Sequence, residues 1–406
     1  MRKPTRLLCS LAAMVAATGL VSIAHAQEND DAASSETSAQ VEAMNEQLQA
    51  LQTDVSLLKK FKFSGYVQAR YEISEDSADS IRIEPGGTIV PANRERFYIR
   101  RARLKLTYVA GPLSEAVVYF DGGQDRVARL LEAHVTIRDP WTVEHVHGIT
   151  VGQMNVPFGY ELERSSSVRE LPERSRAENA LFPGERDRGM KLVSAWTPQL
   201  ETVVGIFNGG GINHPVFSAT DPSRAKDLLG RVRWAQGTVD VAVSGYNGKE
   251  TLPLAGRDQE NDKTRYGADA QLYFGVPSLG GGSLMAEGYW GKNLNADSLR
   301  ALVVSNLPVA GADLSHLTTD FQGGYLMYVQ NLGEQTQFAA RWDYFDPNTD
   351  LDHDQFERWS FGLNYFYDGN TRLTVSYEAP NTDKSSAGGF YNPADNLWTF
   401  QFQLKF

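Results

Sequence analysis

Asn396-Leu397-Trp398-Thr399-Phe400-Gln401-Phe402-Gln403-Leu404-Lys405-Phe406 is the stretch on which the reading of the fold turns. Trp398, Phe400, Phe402, Leu404 and Phe406 share one parity, and Thr399, Gln401, Gln403 and Lys405 share the other. A strand sends successive side chains to opposite faces, so this segment is half aromatic and half polar. A sandwich strand shows the same alternation. An outer-membrane barrel adds an aromatic face towards lipid and a polar face towards water, and the rest of the chain decides between them.

Arg2, Lys3 and Arg6 precede an apolar run from Leu7 to Ile23 that ends at Ala24-His25-Ala26, so 1–26 reads as a cleaved secretory signal. The run is about as long as a short membrane span, but the small-residue site favours removal. The single cysteine, Cys9, falls inside this segment, which leaves the mature chain without a thiol. No later window holds eighteen uninterrupted apolar residues. A formal charge of −11 argues against nucleic acid as a general partner. Residues 27–60 read as a polar lead-in followed by a helix, with Val41, Met44, Leu48, Leu51, Val55 and Leu58 at heptad a and d spacing. Two readings fit that row: a self-associating coiled coil, which is preferred, or an amphipathic helix lying on a barrel mouth.

From Phe61 to Phe406 short turn signals alternate with long polar connections. The short turns fall at 110–112, 139–141, 197–199, 236–238, 275–282, 331–333 and 367–370. The long connections fall near 74–93, 122–128, 154–187, 209–225, 248–262, 293–317, 346–354 and 380–395. Seven short and eight long connections join sixteen strands. The expectation is an all-β fold, a sixteen-stranded antiparallel transmembrane β-barrel with a short periplasmic α-helix ahead of it. Lipid tolerates no unpaired strand edge, so the barrel must close.

Several stretches resemble the phosphate-selective porin O and P family of outer-membrane channels. They are Gly65 to Tyr71 (G-Y-V-Q-A-R-Y), Phe97 to Leu106 (F-Y-I-R-R-A-R-L-K-L), Val151 to Gly159 (V-G-Q-M-N-V-P-F-G), Arg188-Gly189, Asp343 to Asn348 (D-Y-F-D-P-N), Gly362 to Tyr367 (G-L-N-Y-F-Y) and the terminal strand. The resemblance implies a homotrimer in the outer membrane, in contact with lipid and lipopolysaccharide, with loops folded into each lumen and a basic path for oxyanions. It similarly implies that Phe406 is presented to the barrel-assembly machinery.

Function is expected on the inward face. Arg101, Arg103 and Lys105 share one parity, and Arg231 and Arg233 repeat the device. Phe97 and Ile99 have the parity of Arg101 although they are apolar, which predicts a bulge or a loop boundary between the two halves of that strand. Lys62, Arg70, Lys191, Arg265, Arg341, Arg358 and Arg372 complete the candidate anion path. Guanidinium forks suit phosphate oxygens. The competing reading is a wall-spanning network of cations and acids that only braces the barrel. The loop after Gly159 is expected to constrict the pore and carries Arg164, Arg169, Arg174, Arg176, Arg186 and Arg188 among seven acids. This departs from a Lys-rich loop and leaves phosphate specificity open beside general porin behaviour. Asp346, Asn348, Asp350, Asp352 and Glu357 space like a calcium loop, but position six is Leu351 where glycine is needed, so no dedicated metal site is expected. His145 and His147 read as one strand face without a third ligand. No nucleophile motif or phosphate-cradling loop appears, so neither an enzyme nor a cofactor is expected. The function read from the sequence is passive diffusion of small hydrophilic solutes through an Arg/Lys-lined lumen, with a preference for anions and phosphate or polyphosphate as the candidate solutes. A structural envelope tether is the alternative.

Overall fold

A computed structural model describes residues 30–75, 81–83, 89–91, 93–124, 127–212, 224–254, 257–294, 318–352, 354–382 and 396–406. The segment read as a signal, residues 1–26, lies outside them. The chain divides into two units, residues 1–59 and 60–406.

The first unit is described from Asp30, where helix α1 (Asp30–Leu58) begins. Its heptad side chains Met44, Leu48, Leu51, Val55 and Leu58 are all exposed. An apolar row in water has nothing to hold a long helix by tertiary packing, which is the situation of a helix awaiting a partner.

The second unit is the barrel. Its sixteen staves are β1 (Phe61–Ser74), β4 (Arg96–Gly111), β5 (Ser114–Asp121), β6 (Arg129–Arg138), β7 (His147–Asn155), β8 (Arg186–Ala195), β9 (Leu200–Phe207), β10 (Asp227–Gln236), β11 (Val239–Leu254), β12 (Arg257–Val276), β13 (Gly280–Leu294), β14 (Thr318–Leu332), β15 (Thr336–Asp346), β16 (Phe356–Phe366), β17 (Thr371–Thr382) and β18 (Leu397–Lys405). Each pairs antiparallel with its neighbours, and β1 closes on β18 from Tyr66↔Lys405 to Ser74↔Leu397. Closure leaves no free edge, as a lipid environment requires. β2 (Ile81–Ile83) and β3 (Ile89–Pro91) form a separate two-stranded ladder in the first long connection.

The terminal strand behaves as its alternation dictates: Phe402 is 61% exposed and Gln403 only 3%. β1 does the same, with Phe63 and Val67 outside and Tyr66, Gln68 and Arg70 inside. The bulge expected in β4 is present, because Gln68 pairs Arg101 while Ala69 skips to Ile99. Arg100 is the extra residue. At Gly65 the strands approach so closely that a Cβ would come within 2.3 Å of the Arg103 carbonyl oxygen and 2.6 Å of the Phe406 ring, so only glycine fits.

Three local readings need correction. The long connection expected at 248–262 is mostly strand: β11 runs to Leu254 and β12 starts at Arg257, paired from Leu254↔Arg257 onwards. A stave that rises beyond the lipid band needs no apolar face, so its polar composition imitates a loop. The short turn read at 139–141 spans 139–146, and His145 sits in it at φ 51° rather than on a strand. A helix, α2 (Arg176–Leu181), interrupts the long loop between β7 and β8.

Candidate functional site

The loop between β7 and β8 folds into the lumen and is glued to one side of the wall. Its first turn is seated on Glu287 of β13, whose carboxylate accepts from the Tyr160 amide at 2.8 Å and the Glu161 amide at 3.1 Å. Beyond this seat the contact is apolar. Phe158, Leu162, Ala177, Leu181 and Phe182 of the loop pack with Phe207, Leu229, Tyr246, Tyr289, Phe321 and Phe345 of the wall. Leu171 and Tyr160 pack with Met285, Tyr325, Met327, Val329 and Ala339. Porin interiors are generally polar, so an apolar core inside the barrel marks where the loop is fixed rather than hanging free. Sequence reasoning passed over it. The signal was there: Tyr246, Tyr289, Tyr325 and Phe345 have the parity of the inward polar residues on their strands.

Charges complete the seat. Arg341, 1% exposed, donates from Nη1 to Glu161 at 2.9 Å and from Nε to Asp343 at 3.0 Å. Arg358 reaches Asp343 at 3.0 Å and Glu378 at 2.8 Å. Asp343 also accepts from the Arg176 amide at 3.2 Å, which fixes the start of α2, and the Arg176 guanidinium lies 5.4 Å over Phe356. Arg174 bridges three loop carbonyls, Glu161, Leu162 and Arg164, at 3.0–3.2 Å, and pairs with Glu185. Its Nε is also 3.0 Å from Glu178 but off hydrogen-bond alignment, leaving both Glu178 oxygens without a donor. Burial therefore pushes the Glu178 carboxyl well above its usual range, Arg174 opposing and Glu161 adding to the shift. Arg164 is held by Glu170 at 2.7 Å. At the loop tip the Ser166 hydroxyl meets Tyr66 Oη at 2.5 Å, and Gln403 donates to the Ser167 carbonyl at 3.0 Å.

Of the cations expected to form a path, most are placed inward and then paired. Arg70 and Arg101 sit under the loop with Glu173 at 2.7 and 3.5 Å. Arg100, which sequence reasoning omitted because it belongs to the bulge, clamps the same Glu173 with two bonds of 2.8 and 3.0 Å. Burial alone would raise Glu173, but Arg100, Arg70 and Arg101 outweigh it and hold the carboxyl well below its usual range. Arg231 pairs with Asp269 at 2.7 Å and Arg233 with Asp240 at 2.5 Å. Arg265 donates to Asn293 at 2.6 Å and stacks 4.6 Å from the Phe182 ring. Arg372 donates to Gln403 at 3.2 Å and to the Arg169 carbonyl at 2.9 Å. Lys62 is exposed near the start of β1. Lys263, absent from the sequence reading, is buried against Asp227 at 2.8 Å.

The opposite sector, from β18 through β1 to β8, stays open. A cavity of about 730 Å³ runs along it, lined by Arg103, Lys105, Arg138, Arg164, Arg174, Arg186, Lys191 and Lys405 against Glu115, Glu132, Glu163 and Glu185. Eight basic side chains and four glutamates line it, and Asp121, Glu170 and Glu178 outside the lining pair with Arg103, Arg164 and Arg174. Tyr119 spaces three of the cations, with Arg103, Lys105 and Arg186 at 5.6–5.8 Å from its ring. Arg103 is tied to Asp121 at 2.9 Å and Arg186 to Glu132 at 3.1 Å. Lys105 is looser, 3.5 Å from Glu132 and 37% exposed, and Lys191 makes no ion pair among the described residues. Arg186 and Arg188 belong to β8 rather than to the loop, and Arg188 lies on the exposed face that carries Met190 and Leu192.

The 346–357 segment forms turns of its own: Asp346 caps the Asn348 amide at 3.1 Å and Asn348 the Asp350 amide at 3.2 Å. Asp350 and Asp352 are exposed, and Glu357 lies in β16 opposite Tyr344. Among the described residues no group of three His, Cys, Asp or Glu side chains is close enough to hold a metal ion.

A closed sixteen-stranded antiparallel barrel with an inward loop defines the porin fold. Solved structures share it. An anion-selective porin from Comamonas acidovorans superposes with a TM-score of 0.57 at 12% identity, covering 85% of this chain and 99% of that one. OmpT, an outer-membrane protein of Vibrio cholerae in its trimer form, gives 0.57 at 11% identity with the same coverage. The outer-membrane channel DcaP of Acinetobacter baumannii gives 0.54 at 13% identity over 85% and 97%. Identities this low carry the fold alone. No protein-family model and no curated protein matches the chain.

Proposed function

We propose that the protein is an outer-membrane porin that lets small hydrophilic solutes diffuse passively, with a preference for anions. The observation that carries this is the row of eight basic side chains along the open sector, of which Lys105 and Lys191 are the least answered by carboxylates. A narrow space of one sign raises the local concentration of counter-ions and lowers the barrier to their passage. Lys105 and Lys191 are the working cations on this reading, because both face the cavity, Lys105 meeting Glu132 only at 3.5 Å and Lys191 making no ion pair among the described residues. Arg103, Arg138 and Arg186 supply a fixed background. Arg341, Arg358, Arg231 and Arg265 belong instead to the bracing network, which is how the two sequence readings divide between the two sectors. The porin described as anion-selective shares the fold, which agrees with this reading. The motif resemblance to phosphate-selective porins makes phosphate the first solute to try. The paired charges of the inward loop speak for weak binding and for broad anion passage. Assembly as a homotrimer, with α1 as a coiled coil, completes the proposal.

Reversal potentials in planar bilayers under a KCl gradient test it. Wild type is expected to give a chloride-side potential, and the double substitution Lys105→Gln with Lys191→Gln should reduce the chloride-over-potassium permeability ratio several-fold. An unchanged ratio in that variant would remove the open sector from the permeation path.

A further inference from the structure

The four glutamates that line the open sector are not alike. Glu115 is answered by Arg138 at 3.0 Å, Glu132 by Arg186 at 3.1 Å and Glu185 by Arg186 at 2.8 Å. Glu163 makes no ion pair and no side-chain hydrogen bond among the described residues, and it is exposed to the cavity. Its neighbours in the loop fix its place. Leu162 is buried in the apolar seat at 1% exposure, while Arg164 is held by Glu170 at 2.7 Å and lies 5.1 Å from the Tyr160 ring.

Lumen water reaches Glu163, but the barrel encloses it, and this desolvation pushes its carboxyl up. Lys191 of β8 opposes that shift most, ahead of Arg231, and Glu201 and Asp269 add weaker repulsion. Arg231 is already paired with Asp269 at 2.7 Å. Lys191 is as unanswered as Glu163: its register partners are Thr150 on β7 and Gly205 on β9, and it makes no ion pair among the described residues. The two do not touch. Cavity separates a cation on the wall from an anion on the loop.

A simple anion entering that gap gains Lys191 and meets Glu163, and a neutral solute gains neither. A molecule with an ammonium at one end and a carboxylate at the other is attracted at both ends. Two charge-assisted hydrogen bonds then replace part of its hydration. We infer that Glu163 and Lys191 form a crossing point for small zwitterionic solutes of the α-amino acid type, ammonium towards Glu163 and carboxylate towards Lys191. This rests on the porin reading and adds a solute class to it, since the other cations draw anions in while the opposed pair favours a dipole.

Release of radiolabelled solutes from proteoliposomes containing the full chain tests the pair. L-alanine, L-lactate and L-lactamide have skeletons of one size and differ in charge, as zwitterion, anion and neutral molecule. Wild type is expected to release alanine several-fold faster than lactamide. Glu163→Gln should level those two rates and raise lactate relative to alanine, whereas Lys191→Gln should lower alanine and lactate together relative to lactamide. The exchange Glu163→Lys with Lys191→Glu keeps an opposed pair, so it should restore the alanine preference that Glu163→Lys alone loses. An alanine preference that survives Glu163→Gln overturns the crossing point. Equal release of all three solutes by wild type overturns it too and leaves the channel reading in place. No release of any solute overturns the porin reading and this inference with it.

Discussion

The acids explain more of this interior than the cations that drew attention in the sequence. Asp343 is fully buried and answers Arg341, Arg358 and the Arg176 amide at once. Removing one partner of a buried pair leaves an uncompensated charge and costs about 3–5 kcal/mol. Asp343→Ala is therefore expected to lower barrel stability by about that amount, read as the urea midpoint of tryptophan fluorescence. A change below about 1 kcal/mol would mean that water reaches the two guanidiniums. Which face most residues take was legible, although Lys62 and Arg188 are exposed, and the parity of Phe97 and Ile99 pointed to a bulge or a loop boundary where Arg100 is inserted. Which acid answers which base was not. Glu161 meets Arg341 across 180 residues and Glu173 meets Arg70 across 103, and no local pattern encodes such pairings.

The inward loop owes its position to apolar burial first and to charge second. Phe158 is fully buried between Phe182 and Tyr289, with ring centroids 4.9 and 6.3 Å away. Truncating such a side chain costs about 3–5 kcal/mol where the surroundings cannot close in. Phe158→Ala should free the loop, which would appear as larger and noisier single-channel conductance. Quiet openings of wild-type size would show that the ion pairs hold the loop unaided. On the opposite rim the 139–146 connection is ordered by Asp139, which accepts from the Thr142 amide at 2.6 Å, the Thr142 hydroxyl at 2.7 Å and the His147 amide at 2.9 Å. Desolvation works against that carboxylate, but these donors outweigh it and hold its pKa at about 2. A carboxyl depressed on folding stabilises above its unfolded value of about 3.9 and loses that contribution as the pH falls. The melting difference between wild type and Asp139→Ala should be constant above that value and vanish towards pH 2. A difference that persists in acid would assign the effect to turn geometry rather than charge. The sequence showed a turn here but placed it too short, because Pro140 and Trp141 punctuate only its first residues.

The barrel as a whole was readable because closure in lipid forces every stave into one alternation, and fifteen connections broke it at turn residues. The exceptions lie where that force is absent: β11 and β12 beyond the lipid band, α2 inside the lumen, and α1 before the first stave. For α1 the physics points outward. Met44, Leu48, Leu51 and Val55 repeat at heptad spacing and stay exposed on a 29-residue helix. Burying one such side chain is worth about 1.5–3 kcal/mol, and a symmetric assembly repeats the gain in every subunit. Subunits already joined through their barrels would remove most of the association cost that an apolar row of under three heptads could not meet alone. Placing charge in the seam, as Leu48→Lys with Leu51→Lys, should therefore lower the temperature at which the oligomer dissociates on unheated gels while leaving the monomer barrel folded. Dissociation at the wild-type temperature would assign the apolar row to the barrel mouth, and crosslinks from α1 to the short-turn rim rather than to a second α1 would then be expected.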